Sequence, residues 1–167
     1  AHWGLDLDHT GPTEIEGEAE YAEEGLYNAP YKYSFRCKYA DGLIMYVYSG
    51  GRGGTKWIGD DGWVWVNRGH IDASDKNLLK EEAIGAGDTR LYKSTDHIQN
   101  FLDCVRSRKP TITPVATACR SISVGHLGEI AMLLSRKIYW NPEEEEIIGD
   151  PGAAALLGRS YREPWVL

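Results

Sequence analysis

Residues 13–21, TEIEGEAEY, set beside residues 31–39, YKYSFRCKY, decide how this chain folds. In the first stretch Thr13, Ile15, Ala19 and Tyr21 fall on one side, and Glu14, Glu16, Glu18 and Glu20 on the other. In the second, Tyr31, Tyr33, Phe35, Cys37 and Tyr39 alternate with Lys32, Ser34, Arg36 and Lys38. Strict alternation marks a strand with one buried face, because successive side chains leave the backbone on opposite sides. One polar row is acidic and the other basic, over matching lengths. Opposite charges attract across a strand pair, so the two segments are predicted to be antiparallel neighbours with these rows facing each other.

The next segments extend the sheet. Ala40–Gly42, ADG, turns the chain into LIMYVYS at 43–49, which is apolar on both faces. Gly59–Gly62, GDDG, is a second hairpin signal, since Asp-Gly suits a turn that needs positive φ. It joins TKWI at 55–58 to WVWVNRG at 63–69. There Trp63 and Trp65 face one way and Val64 and Val66 the other, so neither face is polar. A strand of that kind is covered on both sides. Downstream helices supply one cover, and a partner subunit is expected to supply the second. Residues 72–93 have weak patterning and read as a strand end followed by a loop.

Beyond residue 93 the period changes. STDHIQNFLDCVRSRKP, residues 94–110, places Ile98, Phe101, Leu102 and Val105 along one helical stripe. Ser94 or Thr95 can cap its start, Arg106, Arg108 and Lys109 sit at its negative end, and Pro110 follows. Residues 116–138 form a longer helix, with Cys119, Ile122, His126, Ile130 and Leu133 on one stripe and His126 expected as a hydrogen-bonded core residue. Gly125 and Gly128 are costly within a helix and point to close packing against another element. The closing residues 140–167 read as a short strand, a short helix and an extended tail. Strands first and helices after define an α+β fold: an open, mostly antiparallel sheet with helices packed on one face. At 167 residues the length fits a single domain.

Composition narrows the chemistry. A net charge of -7 leaves no basic excess to displace counterions from phosphates, which argues against nucleic acid. No apolar run reaches membrane-spanning length, and nothing in the sequence fixes a compartment. Cys37, Cys104 and Cys119 form no C-x-x-C pair and read as buried free thiols. The histidines His2, His9, His70, His97 and His126 lack H-E-x-x-H spacing, and Asp6, Asp8 and His9 do not continue into a calcium loop, so no metal site is expected. Glu143–Glu146 reads as a solvated run. GGRGG, Gly50–Gly54, lacks both the Lys-Ser/Thr of a phosphate loop and the G-x-G-x-x-G order, and it lies between strands. It is expected to be a flexible connection, or else a substrate-edge loop that presents Arg52.

Several stretches together resemble one family. They are HWGLDLDHTGPTEIEG from His2, YADGLIM from Tyr39, KWIGDDGWVWVNRG from Lys56, the segment from His97 to Pro142, and YREPW from Tyr161. The chain looks like the C-terminal domain of the Gfo/Idh/MocA oxidoreductases, in a bacterial branch, over essentially its whole length. WNP at 140–142 replaces the Trp-Asp-Pro more common in that branch, with no functional consequence. The resemblance implies that residues 1–167 are a single C-terminal sheet domain, and that an N-terminal Rossmann domain carrying the NAD or NADP fingerprint is absent from this chain. It also implies that the D-x-x-x-H catalytic motif ends just before Ala1, so that Asp6, Asp8 and His9 inherit no catalytic role.

On this reading the chain contributes substrate binding and homo-oligomerisation, through the open sheet face, to an NAD(P)-dependent oxidoreductase. The substrate is expected to be a sugar, a cyclitol or a related polyol, and the isolated chain to be inactive. No catalytic or cofactor-binding residue is assigned within it. Tyr48, Arg52 and Lys56, placed around the glycine loop with polar reach suited to hydroxyl groups, are the expected substrate-facing residues; that choice rests on their placement. The alternative is a stand-alone carbohydrate-binding or protein-interaction module using Trp63 and Trp65 as an exposed shelf.

Overall fold

The computed structural model describes residues 1–89 and 92–165. Within them the chain forms two compact units, one of Asp6–Gly50 with Ala116–Leu167 and one of Ala1–Leu5 with Gly51–Val115. Each is built on its own antiparallel sheet, so the α+β expectation holds.

The larger unit contains β1 (Glu14–Tyr21), β2 (Pro30–Lys38), β3 (Ile44–Tyr48), β7 (Ile138–Asn141) and β8 (Glu146–Ile147) in the order β3-β2-β1-β7-β8. The alternating charges set its register as expected. Glu14 faces Lys38, Glu16 faces Arg36 and Glu20 faces Lys32. The side chains close onto each other, with Lys38 Nζ 2.7 Å from Glu14 Oε1 and Arg36 bonded to Glu16. Lys137, entering β7, adds a second cation 3.0 Å from Glu14 Oε2. The turn after β2 is the Asp-Gly turn read from the sequence: Gly42 has φ 90°, and Asp41 Oδ1 accepts from the Leu43 N–H at 3.0 Å.

The other face of this sheet carries the core. Ile15, Phe35, Cys37, Ile138 and Trp140 pack with Val124, Leu127, Ile130, Ala131 and Met132 of α2 (Val115–Leu134). Burying such side chains is the main source of folding free energy, at about 25 cal/mol per Å² of apolar surface. Gly128 lets helix and sheet approach closely, since a Cβ there would lie 2.6 Å from the Phe35 ring. Gly17 does the same from β1, with a Cβ position 2.4 Å from Phe35 Cβ. At Gly125, by contrast, a Cβ would meet nothing within 4 Å.

The buried stripe of α2 differs from the expected one. Cys119, Ile122, His126 and Leu133 are exposed, and Val124, Leu127 and Gly128 face inward. The helix is apolar nearly all round, so hydrophobic period selects no face, and the gap at Gly128 does. His126 is therefore a surface residue, and the expectation of a core histidine is overturned. At the C-terminal end Asp150 takes Arg136 in a two-point pair at 2.8 and 3.0 Å. It also accepts from Ala153 N to start the single-turn α3 (Pro151–Ala154).

The smaller unit is a three-stranded meander of β4 (Thr55–Gly59), β5 (Gly62–Asn67) and β6 (His70–Ala73), followed by short 3-10 turns and α1 (His97–Ser107). The cap of α1 is Asp96 rather than Ser94 or Thr95; its carboxylate accepts from Gln99 N at 2.8 Å. The helix ends on Arg108 at φ 60°, whose N–H bonds to the Cys104 carbonyl. The apolar stripe Ile98, Phe101, Leu102 and Val105 lies at the surface. Asn100 is the inward residue instead, donating to the Tyr92 hydroxyl at 2.7 Å and accepting from Ile112 N at 3.1 Å. A buried amide with both ends satisfied can hold a helix to its flanking loops as an apolar side chain would.

A cationic and aromatic face as the candidate functional site

In the smaller unit β4, β5 and β6 pair so that Lys56 faces Trp65, Ile58 faces Trp63 and Asp72 faces Trp65. Directly opposed residues share a face, so the pairing gathers two tryptophans, a lysine and an aspartate on one side of the meander. The glycine run then adds an arginine. Gly50, Gly51 and Gly54 adopt φ of 86°, 70° and 118°, a region open to glycine at little steric cost. Asn67 Nδ2 pins the loop by donating to Gly53 O at 3.1 Å.

The loop sets Arg52 over an indole. Its guanidinium carbon is 3.3 Å from the Trp65 ring centroid, and Lys56 Nζ is 4.3 Å from that of Trp63. A cation over an aromatic face is attracted by the ring quadrupole. Arg52 Nη1 also reaches Asp72 Oδ2 at 3.3 Å, and Lys76 bonds to the other oxygen of the same carboxylate. Lys76, the Ala73 backbone N–H and then Arg52 hold the Asp72 carboxyl below its ordinary range. Trp65 is 7% exposed, yet its indole N–H has no acceptor among the described residues. That N–H lies beneath the loop, since a Cβ on Gly54 would sit 3.1 Å from Nε1.

The three expected substrate-facing residues thus divide between the units. Arg52 and Lys56 come together on the tryptophan face. Tyr48 belongs to β3 in the larger unit, where it is exposed on the charged side of the sheet and borders an open recess of about 300 Å³ with Glu18, Glu20, Lys32 and Ser49. The double cover expected for WVWV is met in part from within, because Arg52 and Lys56 lie over its two tryptophans. Sequence reading missed Asp72 and Lys76. Their four-residue spacing was visible, but only the register of β6 against β5 brings Asp72 under Arg52.

Other chemistries find little footing among the described residues. No group of three or more His, Cys, Asp or Glu side chains could hold a metal ion. No helix is long and apolar enough to cross a membrane. Cys37 is buried, and burial pushes its thiol up to about 12. Glu143–Glu146 is exposed, with Glu145 3.4 Å from Arg120. For a dinucleotide the residues present do not fit. Such a site needs a glycine turn from a strand into a helix N-terminus, whereas here the glycine run joins β3 to β4 and both sheets are antiparallel.

Comparison with known proteins agrees with the fold. Residues 2–167 match the family described as Gfo/Idh/MocA, oxidoreductase family, C-terminal alpha/beta domain. No curated protein and no solved structure matches the chain. With its match running over nearly every residue, the chain belongs to the Gfo/Idh/MocA oxidoreductase family, as that family's C-terminal α/β domain.

Proposed function

We propose that residues 1–167 are the substrate-binding and oligomerisation domain of an NAD(P)-dependent oxidoreductase acting on a sugar, a cyclitol or a related polyol. The observation that carries the proposal is the family match over residues 2–167. A nicotinamide cofactor supplies hydride transfer and a protein supplies orientation. NAD or NADP is held by a Rossmann domain, and this chain alone is inactive. Tyr48, Arg52 and Lys56 are the substrate-facing residues. Support for the latter two comes from their seats on Trp63 and Trp65, where aromatic faces and N–H donors suit a ring bearing hydroxyl groups.

Homo-oligomerisation uses the open face of the five-stranded sheet. Tyr46 and Tyr139 are exposed there at 63 and 50%. Tyrosines among paired charges suit an interface, having a large apolar ring and a polar tip. Against a stand-alone module with a ready tryptophan shelf stands the burial of Trp65 under Arg52.

The test is to isolate the native polypeptide containing this sequence and assay reduction of NAD⁺ and NADP⁺ with inositols, hexoses and pentoses. The 167-residue chain is assayed alongside, and both are sized by sedimentation. The native polypeptide is expected to reduce one cofactor with at least one polyol and to sediment as an oligomer, while the chain alone reduces neither. A native polypeptide that reduces neither cofactor with any polyol overturns the proposal.

A further inference from the structure

We infer that the tryptophan face of the smaller unit takes a carboxylate-bearing sugar, a uronate or aldonate, and that Arg52 is the group such a ligand displaces from Trp65. This deepens the reading of Arg52 and Lys56 as substrate-facing and rests on it.

Charge is the first argument. Among the ring contacts and ion pairs of this face, three cations, Arg52, Lys56 and Lys76, stand with one carboxylate, that of Asp72. Lys56 has no carboxylate partner among the described residues; its ammonium group rests on the Trp63 ring. In a chain of net charge -7 these contacts are weighted to the opposite sign. A neutral polyol makes little use of it. An anionic one does, since hydrogen bonds from Arg and Lys to a carboxylate are the strong class.

The second argument is the unspent donor. The Trp65 indole is more than nine-tenths buried, with an N–H that meets no acceptor among the described residues. A buried donor left unpaired is costly and calls for an explanation. Its neighbour is Gly54, at the end of the loop that carries Arg52. Moving that loop uncovers the ring face and the N–H together. A pyranose ring can then stack where the guanidinium lay, with a ring hydroxyl accepting from Nε1.

The third argument is that the latch is light. Arg52 is held by one 3.3 Å contact to a carboxylate already bonded to Lys76, and by its stacking on the ring. The glycines on either side give the backbone at Arg52 freedom to move, against the one Asn67–Gly53 hydrogen bond that pins the loop. Once displaced, Arg52 leaves Asp72 satisfied by Lys76 and can turn its two-pronged guanidinium to the ligand's carboxylate.

The chain is titrated with sodium D-glucuronate, D-glucose and sodium acetate at matched ionic strength. The indole ¹H–¹⁵N signal of Trp65 is followed, assigned through Trp65→Phe. Glucuronate is expected to shift that signal saturably and to bind about tenfold more tightly than glucose, the advantage expected of one charge-assisted pair. Acetate is expected to leave it in place. In Arg52→Gln the preference for glucuronate over glucose falls towards one, and Arg52→Lys restores part of it. An equal response to glucose and glucuronate overturns the acidic class while leaving the polyol reading intact. A shift produced by acetate, no shift with any probe, or an unchanged preference in Arg52→Gln also overturns the inference. The cofactor-reduction assay on the native polypeptide is read independently of all of these.

Discussion

Phe35 fills the space left by two residues without side chains, Gly17 on its own sheet and Gly128 on the helix above. The helix glycines give a matched experiment, because Gly125 lies one turn from Gly128 with open space where its Cβ would be. Gly128→Ala forces a methyl group against a buried ring. It is expected to lower the unfolding free energy by about 1–3 kcal/mol, the usual cost of overpacking. Gly125→Ala restricts the unfolded chain and adds no clash. It is expected to raise stability by about 0.5–1 kcal/mol. Urea titration of both variants checks the pair, and a neutral Gly128→Ala would show that the ring yields. The sequence marked both glycines as packing points, and only one is. Propensity says that a helix glycine is costly, while what it faces depends on a residue as far off in the chain as Phe35 is from Gly128.

At the level of elements, the register of β1 against β2 was legible because charge and period agree on it. Slipping by one residue would turn every glutamate into the core. The inward faces of α1 and α2 were not legible. One helix buries an amide and a thiol in place of its apolar stripe, and the other offers apolar residues in every direction. The Arg52–Trp65 stack was equally hidden, since three strands have to pair before Lys56, Trp65 and Asp72 share a side. The charged rows also make the sheet sensitive to acid. Lys38 and then Lys137 hold the Glu14 carboxyl down at about 2, and Arg136 followed by the Ala153 N–H does the same for Asp150. Both carboxyls are depressed in the folded chain, so the unfolded chain binds their protons first as pH falls. Their contribution is whole above the ordinary value of 4.5 for Glu14 and 3.8 for Asp150. It drains away as pH drops towards about 2. Denaturation midpoints measured from pH 7 to 2 are expected to fall across that window, and less steeply in Glu14→Gln. Added salt flattens the same slope, because these pairs lie at the surface.

Across the whole molecule the central hydrophobic cluster draws every member from the larger unit, from Leu7 and Ile15 through Phe35 and Leu127 to Ala153. Among the described residues the smaller unit buries little beyond His2, Trp65, Ala73, Asn100 and Cys104. Local opening follows the density of buried contacts. Amides of β1, β2 and α2 are therefore expected to exchange slowest with deuterium, and those of β4, β5 and β6 much sooner. Equal protection in the two sheets would contradict this. The same division bears on how such a protein diverges. On the substrate-facing role proposed above, substitutions around Arg52, Lys56 and Asp72 alter recognition while leaving the residues that secure the fold untouched. New ligand preferences can arise there by ordinary drift, without the loss of solubility and abundance that accompanies change in a core.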